Sequence, residues 1–295
     1  MSEERRIVDA HIHVWTDDFE RYPLAPGFAA EDLWLPTSTP EQHFAYSRAV
    51  GKVRINLVQM TWYGLDHSYI LDLIASDRDT FVGTGMVPAI CDVSLASPER
   101  TMVELSQGGI YAFRIRGGGA RMPIGDPSRW LDYPGYEKMF EAGAEHNLAL
   151  SFLMGYDDLP DLDRMCRRFP ETPVILDHIC GVRVRDGIFP EEGLQKLCAM
   201  ARHRRVMVKL GPFQGLGDGE APYLDLLPVI ERIVGAFGPD RCMWESDSGG
   251  PIQMKDPQVD YPAAIALIRE RADFLSEGDR EWILSRTAEN FFFDR

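Results

Sequence analysis

No Cys-x-x-Cys pair occurs in this chain, and its five cysteines, Cys91, Cys166, Cys180, Cys198 and Cys242, fall at irregular spacings. An odd, scattered set in a chain of 295 residues points to reduced thiols in a reducing compartment rather than a disulfide framework. Cys166 and Cys198 fall in helical patterns and read as packing residues. Basic residues are in deficit, 31 Lys and Arg against 46 Asp and Glu, a formal net charge of −15. That balance excludes nucleic acid as a partner, since phosphate binding needs a positive face. It equally argues against anionic membrane surfaces, and by itself it signifies solubility. No apolar run is long enough to span a bilayer, and Met1–Trp15 has no apolar signal region. The cytoplasm is the expected location. No low-complexity linker and no short repeat interrupts the chain, so one domain over 1–295 is expected.

What is present is a rhythm. Short β-branched apolar runs alternate with amphipathic helical runs. The strand candidates are Arg6–Val14, Val53–Met60, Phe81–Val87, Ile110–Ile115, Ala149–Met154, Val174–Asp177, Val206–Leu210 and Cys242–Trp244. Between and after them lie helix candidates at Pro40–Val50, His67–Ser76, Pro98–Ser106, Tyr136–His146, Pro160–Arg168, Glu191–Arg202, Pro222–Phe237 and Tyr261–Arg271, with a closing helix over Asp279–Phe293. Thr39-Pro40-Glu41 and Ser97-Pro98-Glu99 read as N-cap, proline at the first helical position and acid in the first turn. Gly51 and Gly238 suit the position after a helix C-terminus. Eight alternating units predict parallel strands with crossover helices closed into a (β/α)8 TIM barrel. Catalysts in such a barrel sit where strands end, and the long loop after the first strand, Thr16–Ser38, is expected to shape the pocket.

Chemistry-bearing residues stand at those strand ends. Asp9-Ala-His11-Ile-His13-Val-Trp15 opens the chain, and period-two alternation points His11 and His13 the same way. Two inward imidazoles can hold a metal or bind a substrate oxygen. The sixth strand runs out at Asp177-His178 and the eighth at Glu245-Ser246-Asp247. Asp177 reads as a partner for neighbouring loops, and Glu245 shares a face with Asp247. Lys209 ends the seventh strand, where it would either contact substrate or pair with a loop carboxylate. Gln59, Trp62 and Tyr63 end the second strand and are expected to line the pocket. Gly117-Gly118-Gly119 lacks the spacing of a dinucleotide fingerprint and reads as a pocket loop. His43, His67, His146 and His203 read as surface or packing residues.

The chain resembles the amidohydrolase superfamily, in particular its lactonase branch for sugar lactones and 2-pyrone-4,6-dicarboxylate. The resemblance runs from Asp9 to about Asn290 and rests on DAHIHVW at 9–15, VILDHICG at 174–181, VMVKLG at 206–211 and FGPDRCMWESD at 237–247. It implies a site of His11 and His13 from strand one, His178 from strand six and Asp247 from strand eight. It implies the same four residues as ligands if a metal is bound, with zinc or manganese as the ion. Metal-dependent members usually add a lysine, glutamate or histidine from strand four or five. Here those strands read IYAFRIRGGG and LALSFLMG and offer none. The branch includes members that work without a metal, so the cofactor expectation is none, with zinc or manganese as the alternative.

The expected reaction is lactone hydrolysis with Asp247 as general base and His178, with His11 or His13, donating to the carbonyl oxygen. A decarboxylase or hydratase of the same superfamily is the alternative enzyme, and a barrel that merely binds a small anion is the alternative of another class. Arg114, Arg116 and Arg121 follow strand four, and Arg183 and Arg185 follow strand six. Arginine binds carboxylate through two parallel hydrogen bonds. The expected partner is therefore a small anionic or polyhydroxylated substrate contacted by Arg114, Arg116, Arg183, Lys209 and Tyr63. Pairing with Asp126 and Asp186 is the competing role for Arg121 and Arg185. A homo-oligomer is allowed but not indicated.

Overall fold

A computed structural model describes residues 6–87, 97–117 and 127–295. Cys91, Gly118, Gly119, Arg121 and Asp126 lie outside the described residues. Eight strands run in the order β1 to β8, each parallel to the next: Arg6–Ile12, Lys52–Val58, Phe81–Gly85, Ile110–Arg116, Ala149–Leu153, Val174–Leu176, Val206–Leu210 and Cys242–Trp244. The sheet closes where β1 meets the end of β8: Asp247 N donates to His11 O at 2.9 Å and His13 N to Ser248 O at 2.8 Å. This is a (β/α)8 barrel, the architecture expected from eight strand–helix units.

The helices follow in turn: α1 Pro40–Ser47, α2 Ser68–Ser76, α3 Pro98–Ser106, α4 Pro134–His146, α5 Leu159–Arg168, α6 Glu191–Ala199, the short α7 Phe213–Leu216, α8 Leu227–Phe237 and α9 Pro257–Ala266. Two further short helices, α10 Glu277–Glu281 and α11 Thr287–Phe292, close the chain. Thr39 caps α1 by accepting from Gln42 N, and Gln42 reciprocates toward the cap. Ser97 makes no such side-chain bond at α3, although Pro98 holds the first position as expected. Gly238 ends α8 with φ +81°, a conformation costly for any residue with a Cβ. None of the described helices is long and apolar enough to cross a membrane.

The barrel interior is layered by the alternation of strand side chains. The lower layer is apolar: Val8, Ala10, Val82, Ala112, Ala149, Ile175 and Met243 are buried together and sealed from below by Phe291 and Phe292. Two residues further along each strand the interior turns polar. Val82 leads to Thr84, Ala112 to Arg114, Ala149 to Ser151, Ile175 to Asp177, Met207 to Lys209 and Met243 to Glu245, and all six polar residues are buried. β1 joins this layer out of phase. Its register with β2 shifts between Asp9 and Ile12, so the alternation that buries Val8 and Ala10 below delivers His11 and His13 above.

Candidate active site

Four expected site residues, His11, His13, His178 and Asp247, converge at the C-terminal mouth of the barrel. His11 Nε2 lies 3.2 Å from His13 Nε2 and 3.6 Å from Asp247 Oδ1, while His13 Nε2 lies 3.4 Å from the same oxygen. The His11 and His178 rings stand 4.7 Å apart, centroid to centroid. Asp9 ties the strand pair from behind: its Oδ1 accepts from Ser246 N at 3.0 Å and His11 N at 3.3 Å. Burial nevertheless pushes the Asp9 carboxyl up to about 7.

His178 and Asp247 are not on strands. Asp177–Gly181 is a tight turn in which His178, Ile179 and Cys180 all adopt positive φ, near +50°. Asp247 has φ +52°. Left-handed conformations cost roughly 1–2 kcal/mol per non-glycine residue, and the structure around them supplies compensating bonds. His178 N donates to Glu245 Oε1 at 3.1 Å, and His178 Nδ1–H to the same oxygen at 2.7 Å. Gly250 N donates to Asp247 O at 2.8 Å.

Glu245 is thus central. Its Oε1 holds His178, and its Oε2 lies 3.0 Å from His11 Nδ1. Asp177, fully buried, accepts from Ser151 Oγ at 2.9 and 3.0 Å, lies 2.9 Å from Lys209 Nζ and 3.6 Å from Arg114 Nη2. It pairs across the barrel interior rather than with loops. Lys209 is likewise fully buried, 3.1 Å from His11 Nδ1, and pairs with Asp177 where β6 gives way to its turn rather than reaching solvent.

These contacts set the protonation pattern. Burial, then Lys209 and Arg114, lowers His11, and burial holds His13 near 4, so both rings are neutral. His13 Nδ1 is 2.9 Å from Val58 O and must donate to it. Its Nε2 therefore carries a lone pair facing His11 and Asp247. Arginine can only donate, so Arg114 Nη2, 2.6 Å from His11 Nε2, meets a lone pair there too. Burial opposes a charge on His178, but Glu245, Asp247 and Asp177 overcome it and raise the imidazole to about 9. In return, and against the cost of burial, the His178 charge holds Glu245 and Asp247 below the usual carboxylate range. Asp177 is held well below it against the same cost, chiefly by Lys209.

The donor set suits a divalent ion. Nε2 of His11, Nε2 of His13 and Oδ1 of Asp247 form a triangle of 3.2–3.6 Å edges. A point equidistant from them lies about 2 Å from each, a zinc–ligand distance. Asp247 Oδ1 has no hydrogen-bond partner although buried. His178 does not belong to this triangle; it groups instead with His11 and Glu245. Three of the four ligands implied by resemblance therefore form one set, and His178 falls in a second that shares only His11 with it.

Other candidates are placed differently. Tyr63 is buried, and its hydroxyl accepts from Thr16 N at 3.1 Å, bracing the long first loop. Gln59 donates to Gly64 O and Asp66 O, and Trp62 packs on Trp15 with ring centroids 4.9 Å apart. Arg116 and Arg183 are exposed. Arg185 bonds backbone carbonyls of Val184 and Gly217 instead of Asp186. His67 is buried, bonded to Leu65 O and Met86 N just past the end of β3, His203 pairs with Asp163, and His146 is exposed at the end of α4. His43, read as surface or packing, is buried against Tyr46, which bonds Ser248 beside Asp247. The signal that finds Glu245, Asp177, Ser151 and Lys209 is the two-residue step from the apolar layer.

The amidohydrolase family model matches residues 8–293. The chain belongs to the amidohydrolase family. It is 26% identical over 301 residues to an L-fucono-1,5-lactonase of Burkholderia ambifaria, covering 97% of this chain and 94% of that one. It also superposes on two amidohydrolase structures whose identity is low enough that they speak for the fold alone. One, described as a probable 2-pyrone-4,6-dicarboxylic acid hydrolase of Acinetobacter baumannii with citric acid bound, gives a TM-score of 0.73 at 17% identity over 97% of this chain and 98% of that one. The other, an amidohydrolase of Burkholderia multivorans with bound zinc, gives 0.74 at 17% identity with the same coverage.

Proposed function

We propose that this amidohydrolase opens a small lactone by attack of water. The observation that carries the reading is the pairing of Asp247, ionised and with a bare Oδ1, with a protonated His178 locked by Glu245. A base for water and an acid for the carbonyl thus face one mouth. Asp247 takes a proton from water as its oxygen bonds to the carbonyl carbon. His178 Nε2–H stabilises the oxyanion that forms. The ring C–O bond then breaks, the leaving alkoxide takes the proton from Asp247, and a hydroxy acid leaves. His11 and His13, neutral, turn Nε2 lone pairs toward the Asp247 carboxylate and give it no hydrogen bond, leaving Oδ1 free to take the proton. When a divalent metal is bound, His11, His13 and Asp247 would hold it, and it would supply Lewis-acid polarisation.

The likeness to a fuconolactonase over nearly the full chain supports a lactone substrate. A cavity of about 210 Å³ on the side of Asp247 away from His178, which does not line it, offers hydroxyl and amide groups for a polyhydroxylated one. Its lining includes Thr37, Ser38, Gln42, Tyr46, Gln214 and Gln253, and among the described residues Asp247 is its one charged member. Arg183, on the loop after β6, is the candidate for a carboxylate on the substrate rim.

A pH-stat panel of aldonolactones and carboxylated lactones, run with and without chelator, tests the reading. Aldonolactones should turn over, and Asp247→Asn should lower kcat by about a hundredfold or more with the melting temperature retained. Hydrolysis no faster than buffer across the panel, or a folded Asp247→Asn enzyme of near-normal rate, overturns it.

A further inference from the structure

Three electron pairs converge at the barrel mouth with no proton between them: those of His11 Nε2, His13 Nε2 and Asp247 Oδ1. Such a convergence calls for a cation. The one the chain itself brings is Arg114. Its Nη2 lies 2.6 Å from His11 Nε2, and its side chain is buried.

We propose that Arg114 is a built-in competitor of divalent metal, holding the His11 lone pair so that the protein binds such ions weakly, and that a neutral residue at this position would turn the triangle into a metal site.

Arg114 is not needed to neutralise Asp177. That carboxylate already has Lys209 at 2.9 Å and two short bonds from Ser151, whereas Arg114 stands 3.6 Å away. Nor is the guanidinium placed for its own hydrogen bonding, since its buried Nε has no partner. Its short contact is with His11. The charges agree. Asp177, Glu245 and Asp247 are balanced by three cations, Arg114, Lys209 and the protonated His178. Removing Arg114 leaves three carboxylates against Lys209 and the protonated His178, a net negative charge that favours a cation, and frees the His11 lone pair. With Arg114 present, such an ion must share a ligand with a fixed positive charge in a dry site, where repulsion is weakly screened. The sequence places it there by the interior step from Ala112 to Arg114 on β4.

The test uses chelator-stripped full-length protein, zinc titrated against a chromophoric chelator, and cobalt(II) read by its ligand-field absorption. Arg114→Met should bind zinc about a hundredfold or more tightly than wild type and develop a four-coordinate cobalt spectrum. Arg114→Met/His13→Ala should lose both gains, and Arg114→Lys, which keeps the charge, should bind weakly like wild type. Equal zinc affinity of wild type and Arg114→Met, or a gain that survives the loss of His13, overturns the proposal. Should Arg114→Met fail to fold, Arg114→Gln carries the same comparison. The wild-type titration stands alone in any case: a stoichiometric, His13-dependent zinc site of submicromolar affinity in wild type refutes it.

Discussion

Glu245→Gln is the most informative perturbation of the site. Glutamine keeps the shape and one acceptor, so the bonds from His178 N and Nδ1, 3.1 and 2.7 Å long, can persist. What disappears is the charge. A hydrogen bond between charged partners contributes about 1.5–3 kcal/mol, which at 1.36 kcal/mol per unit is about one to two pH units in the imidazole. His178, raised to about 9 in the wild type, should then titrate between about 7 and 8. Its proton is held at low pH and lost as pH rises through that value, so kcat/KM for lactone hydrolysis should keep its acid side and lose its alkaline side earlier. The stability the pair contributes follows the same direction: in wild type it is full below the unfolded imidazole value of 6.5, declines as pH rises from there, and is lost by about 9. Two assays check this, the pH profile of kcat/KM and an NMR titration of labelled histidine that needs no substrate. An alkaline limb and a His178 titration both within half a pH unit of wild type would refute the claim that Glu245 holds the acid in its charged form.

Three other outcomes follow from the same geometry. A Cβ at Gly250 would overlap the Asp247 carboxylate and backbone carbonyl, so Gly250→Ala should cost about 1–3 kcal/mol and lower kcat; an unchanged Tm and rate would contradict the placement of that turn. Asp163 accepts from Arg202 Nε at 2.9 Å and His203 Nε2 at 2.6 Å, and these partners outweigh its burial to hold the carboxyl below its usual range. Its stabilisation is full above the unfolded carboxylate range and lost as pH falls through the folded value, so the Tm gap between wild type and Asp163→Asn should be wide at pH 7 and close toward pH 3. Arg183→Met should lower kcat/KM on carboxylated lactones and leave neutral ones unaffected; equal losses on both would show that Arg183 does not read substrate charge.

The barrel was legible because each unit carries its own periodic signal. β7 and β8 span Val206–Leu210 and Cys242–Trp244, the limits read from the sequence. Differences arise where tertiary bonds take over. β1 stops at Ile12 because His13 N turns to Ser248 O and Trp15 pairs with Ser38. β6 stops at Leu176 because the next residues enter the left-handed turn. Helix α8 starts at Leu227 rather than Pro222, because Tyr223 is left-handed and Leu224–Leu226 forms a separate tight turn of helix. In the site, alternation correctly paired His11 with His13. The inward direction of Lys209 and the hold of Glu245 on His178 needed knowledge of which face is interior. The register shift in β1 leaves no mark in residue type, so the phase of His11 relative to Val8 and Ala10 could not be read at all.

That phase matters for how the site divides its labour. Groups delivered by strand alternation, among them His11, Asp177, Lys209 and Glu245, are sealed between the apolar layer and the mouth, with side chains at 0% exposure. There, with little water to screen them, small charge separations have large effects. They are suited to fixing protonation states and unsuited to touching a substrate. His178, lifted out of the layer by its left-handed turn, keeps 16% of its side chain exposed, and Asp247 in its own such turn keeps 5%. The conformational cost of both turns falls on the two residues assigned to meet water and the carbonyl. Left-handed turns after β6 and β8 thus hold the two residues proposed as acid and base at the barrel mouth.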